Sequence, residues 1–296
     1  MNLLKRILQK PEYFYRPKQV VNRLLYNHTA KRQVNQTIVL PWNIQIEINI
    51  GEVIGKSLFL FGLYDLSLTE TVNRIVKNGD TVFDIGANIG YVTSLMSFLA
   101  GNKGKVYAFE PNPLILTRLK RNLEYAKRVL PYSNVVLQEK ALSEFVGESD
   151  LYIPSFFHDN EGTASLEAMG NSKKISIQTD ILDNYIADKL IVKVLKIDVE
   201  GHELSVFKGA VNSLAQKRIQ NIIFENYSHQ EIPDFLTGFG FTIYKINKTF
   251  NGVLLSDPGE NRYKVSYEAD NFLATLVPDD IQRQFKEKGW TIYSAR

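Results

Sequence analysis

Residues 81–90 read Thr-Val-Phe-Asp-Ile-Gly-Ala-Asn-Ile-Gly, and the fold class follows from this run outward. Thr81–Ile85 is a short, largely apolar segment preceded by the turn signal Asn78-Gly79-Asp80 and followed by glycines, which predicts a buried strand leading into a helix from about Ile89 to Ala100. A helical pattern precedes it at Thr71–Lys77. Downstream the alternation continues: strand Lys105–Glu110, a helix opened by proline at Pro113–Arg128, strand Asn134–Gln138, strand Val192–Asp198, helix Glu203–Leu214 and strand Asn221–Glu225. Such alternation predicts an α/β, Rossmann-like fold with a mostly parallel sheet covered by helices on both faces. Residues 145–180 read as extra short strands and a loop, and Phe241–Ile246 and Asn271–Val277 as closing strands. Upstream, Ile44, Ile46, Ile48 and Ile50 alternate with polar residues, as in a half-buried strand or hairpin. The expected organisation is a basic amphipathic extension at 1–35, a small β element at 36–70, the main domain at 71–277 and a C-terminal helix at 278–296.

The chain has 296 residues, of which 44% are hydrophobic and 23% charged, so it has enough apolar side chains for a sizeable core. It contains no cysteine, which excludes disulfides, thiolate metal ligands and a thiol nucleophile. Its net charge of +3 is unevenly placed: residues 1–33 carry eight Lys or Arg against the single acid Glu12, leaving a mildly acidic remainder. That asymmetry argues against nucleic-acid binding by the fold as a whole. Apolar residues among those first 33 recur at helical spacing, interrupted by charges, with no continuous apolar segment and no small-residue cleavage site. The expectation is a cytoplasmic protein, with the basic extension as the place for a peripheral contact at the inner face of a membrane or with a glycan-assembly partner.

In an open parallel sheet the ligand binds at the carboxyl ends of the strands, where strand order reverses. Asp84 to Gly90 ends one strand, with glycines that let a ligand approach the backbone and a helix N-terminus behind them. Glu110 ends the next, placed to accept hydrogen bonds from ribose hydroxyls. A dinucleotide fingerprint requires G-x-G-x-x-G, whereas here Gly86 and Gly90 are separated by three residues and Asp84 precedes them. A carboxylate at that position repels a diphosphate and suits a cation bearing an ammonium and a sulfonium. S-adenosylmethionine is such a ligand.

Thr81–Gly90, Val106–Pro113 (VYAFEPNP), Gly162–Leu166 (GTASL), Leu182-Asp183, Leu195–Glu203 (LKIDVEGHE) and Lys208-Gly209-Ala210 together resemble the FkbM-type methyltransferases in order and spacing, over roughly residues 70–230. The resemblance implies a class I S-adenosylmethionine-dependent methyltransferase fold and O-methylation of sugar or natural-product hydroxyls. It also implies that Asp84, Gly86, Ala87, Asn88 and Gly90 shape the pocket for the methionine portion and that Glu110 holds the ribose. Asn112 would stand near the adenine, Ala141 and Leu142 would form the adenine-side turn, and Asp198 would face the transferred methyl or the acceptor.

A hydroxyl attacks a sulfonium poorly unless a base removes its proton or a metal lowers its pKa. Asp198, His202 and Glu225 are the candidate catalytic groups, with Asp198 and Glu225 on adjacent strand ends as candidate ligands for Mg²⁺ or another divalent cation. Glu203 reads as an N-terminal helix residue, and Glu200 as a turn residue or a partner for Lys196. The acceptor side is expected to take a small molecule or glycan. Competing readings are a nucleotide-dependent oxidoreductase and a non-catalytic scaffold of a glycan-assembly complex.

Overall fold

A computed structural model describes residues 11–12, 22–24, 26, 35–131, 133–167, 172–226, 231–260 and 270–293. Most of the basic segment 1–33, with the contacts expected of it, lies outside the described residues. No helix among the described residues is long and apolar enough to cross a membrane.

Strands β1 (Asn35–Val39) and β2 (Gln45–Asn49) form an antiparallel hairpin whose turn closes through Leu40 N–H to Ile44 O at 2.9 Å. The isoleucines at 44, 46, 48 and 50 are all fully buried, as the period-2 pattern predicts. The β element ends there. Residues 53–75, expected partly within it, form helices α1 (Val53–Phe61) and α2 (Leu66–Ile75). Glu52 caps α1 by accepting from Ile54 and Gly55 N–H groups, and Asp65 caps α2 by accepting from Leu68 N–H.

The central sheet is built from β3 (Thr81–Ile85), β4 (Lys105–Phe109), β5 (Val135–Gln138), β9 (Val192–Ile197), β10 (Asn221–Asn226), β11 (Thr242–Thr249), β12 (Gly252–Ser256) and β13 (Asp270–Thr275). Its strand order is β12-β11-β13-β10-β9-β3-β4-β5. The pairs β3–β4, β4–β5, β3–β9 and β9–β10 are parallel, while β13 runs antiparallel to both β10 and β11. Chain order runs outward in one direction from β3 through β5 and in the other from β9, so the switch point falls between β3 and β9. This is the Rossmann-like α/β fold expected from the sequence. Helices α3 (Tyr91–Ala100) and α4 (Pro113–Val129) supply the crossovers of its first half.

A second sheet, in the order β6-β8-β7, comprises β6 (Ala141–Leu142), β7 (Gly147–Pro154) and β8 (Ser172–Asp180). The single helix expected over 203–214 is instead two, α5 (Glu203–Lys208) and α6 (Val211–Ala215). The break has a local cause: a Cβ at Gly209 would stand 2.0 Å from Ser143 O, and the Asp183 carboxylate caps α6 by accepting from Asn212 and Ser213 N–H at 2.9 and 2.8 Å. The motif residues Asp183 and Gly209 thus hold the segments that follow β8 and β6 against the α5–α6 helices. After α7 (Glu231–Gly238), the closing strands include β12, which the sequence reading lacked. The C-terminal helix α8 (Pro278–Gln284) is shorter than the expected 278–296.

Candidate functional site

Strand register sets the site. Ile85 pairs with Phe109 on one side and Ile197 on the other, and Ile197 pairs with Phe224. One residue further along, Glu110, Gly86, Asp198 and Glu225 follow one another across the carboxyl edge, each about 4.8 Å from the next by strand spacing. A cavity of about 730 Å³ runs along this edge, large for a small-molecule site. Gly86, Ala87, Asn88, Glu110, Asn112, Ala141, Leu142, Asp198, His202 and Glu225 all line it. The structure therefore brings together ten of the twelve residues singled out from sequence.

Asp84 and Gly90 stand apart from that lining. Asp84 is fully buried, accepting from Thr93 Oγ1 at 2.6 Å and lying 3.2 Å from Lys196 Nζ, so its carboxylate meets a lysine where a direct contact with a cationic ligand was expected. Gly90, at φ 86°, caps α3; a Cβ there would meet Leu119 at 2.7 Å. Gly86 lines the cavity, but its lack of a side chain serves the protein's own packing. It has φ 77°, and a Cβ would stand 1.9 Å from Asp198 O, so glycine is what lets β3 and β9 meet at the switch point.

Nor does the turn offer free amides. Gly86 and Ala87 N–H donate to Phe109 O, Asn88 N–H to Glu110 Oε2 at 2.8 Å, Ile89 N–H to Asn88 Oδ1 and Gly90 N–H to Ala87 O. A pyrophosphate would find no open donor nest among residues 86–90. Glu110 is held by that bond and by Asn112 N–H, 2.9 Å from Oε1. Burial raises its carboxyl to about 7, against the lowering effect of the two N–H donors. Asn112 caps α4 through Oδ1, while its buried Nδ2 has no hydrogen-bond partner among the described residues, leaving a donor for a ligand beside Glu110.

Lys196 is the electrostatic centre that the sequence reading did not single out. Its buried ammonium donates to Gly86 O at 2.8 Å and lies 3.2 Å from Asp84 and 3.6 Å from Asp198. Burial opposes the charge, yet Asp84, Asp198 and Glu225 outweigh it and bring the lysine up to about 12. Three carboxylates around one ammonium leave a net negative group, which favours a cationic ligand. Its advance signals are its place inside the LKIDVEGHE motif and two residues before Asp198 on a buried strand, and the partner expected for it there is Glu200.

Past Asp198 the chain turns through Glu200 at φ 53° and Gly201 at φ 96°; Glu203 Oε1 accepts from Val199 and Gly201 N–H, the structural role expected of it. Both ring nitrogens of His202 are engaged, Nε2 with Ser143 Oγ at 3.0 Å and Nδ1 with Glu167 Oε1 at 3.0 Å. In Gly162–Leu166, Thr163 Oγ1 donates to Asn160 O and closes a turn, while Gly162, Ala164, Ser165 and Leu166 line the cavity. Tyr64, absent from every motif, also lines it. Burial raises its phenol well above the ordinary value, reinforced by Asp198, Asp65, Glu225 and Glu200.

For Asp198 and Glu225 as metal ligands, the structure supplies a different cationic partner, Lys196. Among the described residues no group of three or more His, Asp or Glu side chains is placed to hold a metal ion.

Residues 84–243 match the family model described as the methyltransferase FkbM domain. The hexuronic acid methyltransferase AglP of Haloferax volcanii is 34% identical over 161 residues, 52% of this chain and 62% of that protein. The 31-O-demethyl-FK506 methyltransferase FkbM of Streptomyces tacrolimicus is 28% identical over 57% of this chain and 75% of its own length. This chain thus spans less than two thirds of the first of these relatives. Among solved structures, a methyltransferase FkbM from Methylobacillus flagellatus KT aligns with TM-score 0.44 at 15% identity, over 73% of this chain and 52% of that one.

Proposed function

We propose, for a chain that belongs to the FkbM methyltransferase domain family, that it transfers the methyl group of S-adenosylmethionine to a hydroxyl of a sugar, glycan, glycolipid or glycosylated metabolite. The observation that carries this reading is the single cavity running from Glu110 past Gly86 and Asp198 to Glu225. It places the residues expected to hold the cofactor and those expected to meet the acceptor along one continuous cavity. The sugar class draws support from the relative named as a hexuronic acid methyltransferase.

The residues present fit the cofactor. Glu110 offers a carboxylate to ribose hydroxyls, the unpaired Asn112 Nδ2 offers a donor to a purine nitrogen, and the net negative group around Lys196 suits a sulfonium and an ammonium. When bound, the cofactor supplies an electrophilic methyl group. Asp198, whose side chain is 30% exposed, accepts the hydrogen bond of the acceptor hydroxyl. It takes that proton as the oxygen–carbon bond forms and the carbon–sulfur bond breaks. Lys196 holds Asp198 in place, and Glu225 and Tyr64 bound the acceptor side. His202 positions the 160–167 segment through Glu167, since both ring nitrogens already have partners.

Calorimetric titration with S-adenosylmethionine, followed by assay of S-adenosylhomocysteine release with a panel of sugars and glycosides, tests the reading. Asp198→Ala is expected to lower kcat roughly 10²–10⁴-fold, the range for loss of a general base. His202→Ala is expected to act mainly on acceptor KM, with kcat changed less than about tenfold. No release with any sugar, or an undiminished Asp198→Ala enzyme, overturns the assignment.

A further inference from the structure

We propose that Glu12 and Lys248 form a distal sugar subsite, which holds the acceptor by the hydroxyls of a second ring beyond the one that is methylated. The identity of the first ring rests on the methyltransferase reading above; the subsite rests on the pair itself.

Both residues line the cavity, and the row of strand ends shows how far from the proposed reaction centre they stand. From Glu110 to Asp198 is two strand steps, about 10 Å; from Asp198 across β10 and β13 to β11, the strand that carries Lys248, is three more, about 14 Å. The second distance exceeds the span of one sugar ring. An acceptor whose hydroxyl meets Asp198 therefore needs a further unit to reach Lys248.

Glu12 comes to that place from the opposite end of the chain. Its carbonyl oxygen accepts from Arg23 Nη2 at 3.4 Å, and Arg23 Nε donates to Leu60 O at 3.1 Å, which ties residue 12 to α1. Glu12 is only 9% exposed, and its Oε1 lies 3.6 Å from Lys248 Nζ. Its buried Oε2 has no hydrogen-bond partner among the described residues. A buried carboxylate oxygen without a donor is costly. Polar neighbours along the same wall are committed elsewhere: Ser57 Oγ donates to Leu63 O, and the two Asp65 carboxylate oxygens accept from Leu68 N–H and Asn271 Nδ2. The missing donor is thus left to an occupant of the cavity.

The chemistry of the pair says what that occupant carries. A carboxylate turns in a broad, two-fold well about its last bond, so one oxygen can meet a ligand while the other keeps the lysine. The carboxylate only accepts and the ammonium only donates, so the matching ligand offers a donor and an acceptor side by side. Two adjacent sugar hydroxyls do both. An apolar group would leave the Glu12 oxygen without a donor, and an anionic group would meet Lys248 but bring a second negative charge to Glu12.

The test measures binding directly, so that it does not depend on turnover. Methyl β-glucoside, β-galactoside and α-mannoside, paired with methyl β-cellobioside, β-lactoside and α-mannobioside, are titrated calorimetrically into the full chain, with a parallel titration of S-adenosylmethionine. At least one disaccharide is expected to bind at least about tenfold more tightly than its monosaccharide, the gain from one hydrogen bond to a charged group. Glu12→Ala is expected to abolish that preference while leaving the monosaccharide and S-adenosylmethionine affinities unchanged. Should this variant fail to fold, Glu12→Gln, of nearly equal size, must reduce the preference at least about threefold, because charge-assisted hydrogen bonds are about twice as strong as neutral ones. Equal affinities within every pair, no binding of any glycoside, or a preference that survives the variants overturns the proposal. So does an equal loss of monosaccharide and disaccharide binding, which would make Glu12 a support of the cavity wall. Failure of S-adenosylmethionine to bind while the disaccharide preference holds overturns the methyltransferase reading alone.

Discussion

Glu110 reaches the cavity as an acid whose ionisation the fold opposes. Burial raises it from 4.5 to about 7, so the folded protein holds its proton more tightly than the unfolded chain. The resulting stabilisation is complete below about pH 4.5, declines as pH rises and is lost above about 7. The shift corresponds to about 3 kcal/mol. The unliganded wild type is therefore expected to lose stability between pH 5 and pH 8 by about that amount relative to Glu110→Gln. Urea denaturation of both proteins at the two pH values checks it, and parallel pH dependences would count against the burial argument. Cofactor affinity is expected to move the opposite way, because ribose hydroxyls donate best to an ionised carboxylate. Titration across pH 6–8 should show binding tightening in the wild type and flat in Glu110→Gln. The position of Glu110 was legible from sequence because a strand end and the expected cofactor contact coincide in one residue. The role of Asp84 was not, since its partner, Lys196, lies 112 positions away on another strand.

Helix α2 carries the clearest case of an element whose meaning lies outside its own sequence. Glu70 and Arg74 stand four residues apart, a spacing at which exposed helix pairs commonly meet. Both are buried, with Arg74 Nε 2.7 Å from Glu70 Oε1. Arg74 also donates to Gln284, Glu287 and Gly289 carbonyls, and Glu70 accepts from Thr291 and Ile292 N–H groups. The pair clamps the C-terminal segment onto α2, which explains why α8 gives way to irregular chain. Removing one member leaves the other charge buried without compensation, so Glu70→Ala is expected to cost about 3–5 kcal/mol. It should appear as a lower urea midpoint, and a loss under about 1 kcal/mol would show that solvent reaches the arginine. Helix α1 escaped the sequence reading for a related reason. A short apolar run around Gly62 lacks the length to separate a buried helix from a buried strand, and only tertiary packing decides. Strands β3, β4, β9 and β10, by contrast, were legible because each is bounded by its own turn chemistry.

Across the whole molecule, the proposed cofactor side is made from local motifs, each a strand end with its following turn, and this is why it could be read in one dimension. The proposed acceptor side is assembled from α1, Tyr64, the ends of β10 and β11, and residues 155–167, which no single stretch of sequence connects. That last segment is tied to several separate parts of the fold, including β7 through the backbone pair Tyr152–Ser165. Glu161 accepts from Asn49 Nδ2 at 3.0 Å and pairs with Arg118 of α4; Val53 N–H donates to Asp159 O. Glu167 meets His202, and Ser165 Oγ donates to Glu200 O at 2.7 Å. Because Glu161 joins the hairpin and α4 to the segment with a single carboxylate, its loss should loosen the acceptor wall while leaving the row from Glu110 to Asp198 in place. Hydrogen bonds to a charged group contribute about 1.5–3 kcal/mol, so Glu161→Ala is expected to speed amide exchange within 155–167 on the order of tenfold to a hundredfold. Acceptor KM should rise with it, while S-adenosylmethionine affinity stays at the wild-type value. Equal losses of cofactor and acceptor affinity would mean that the two halves of the cavity depend on one common scaffold. Exchange confined to wild-type rates would mean that the ties through Asp159, Ser165 and Glu167 suffice to hold the segment.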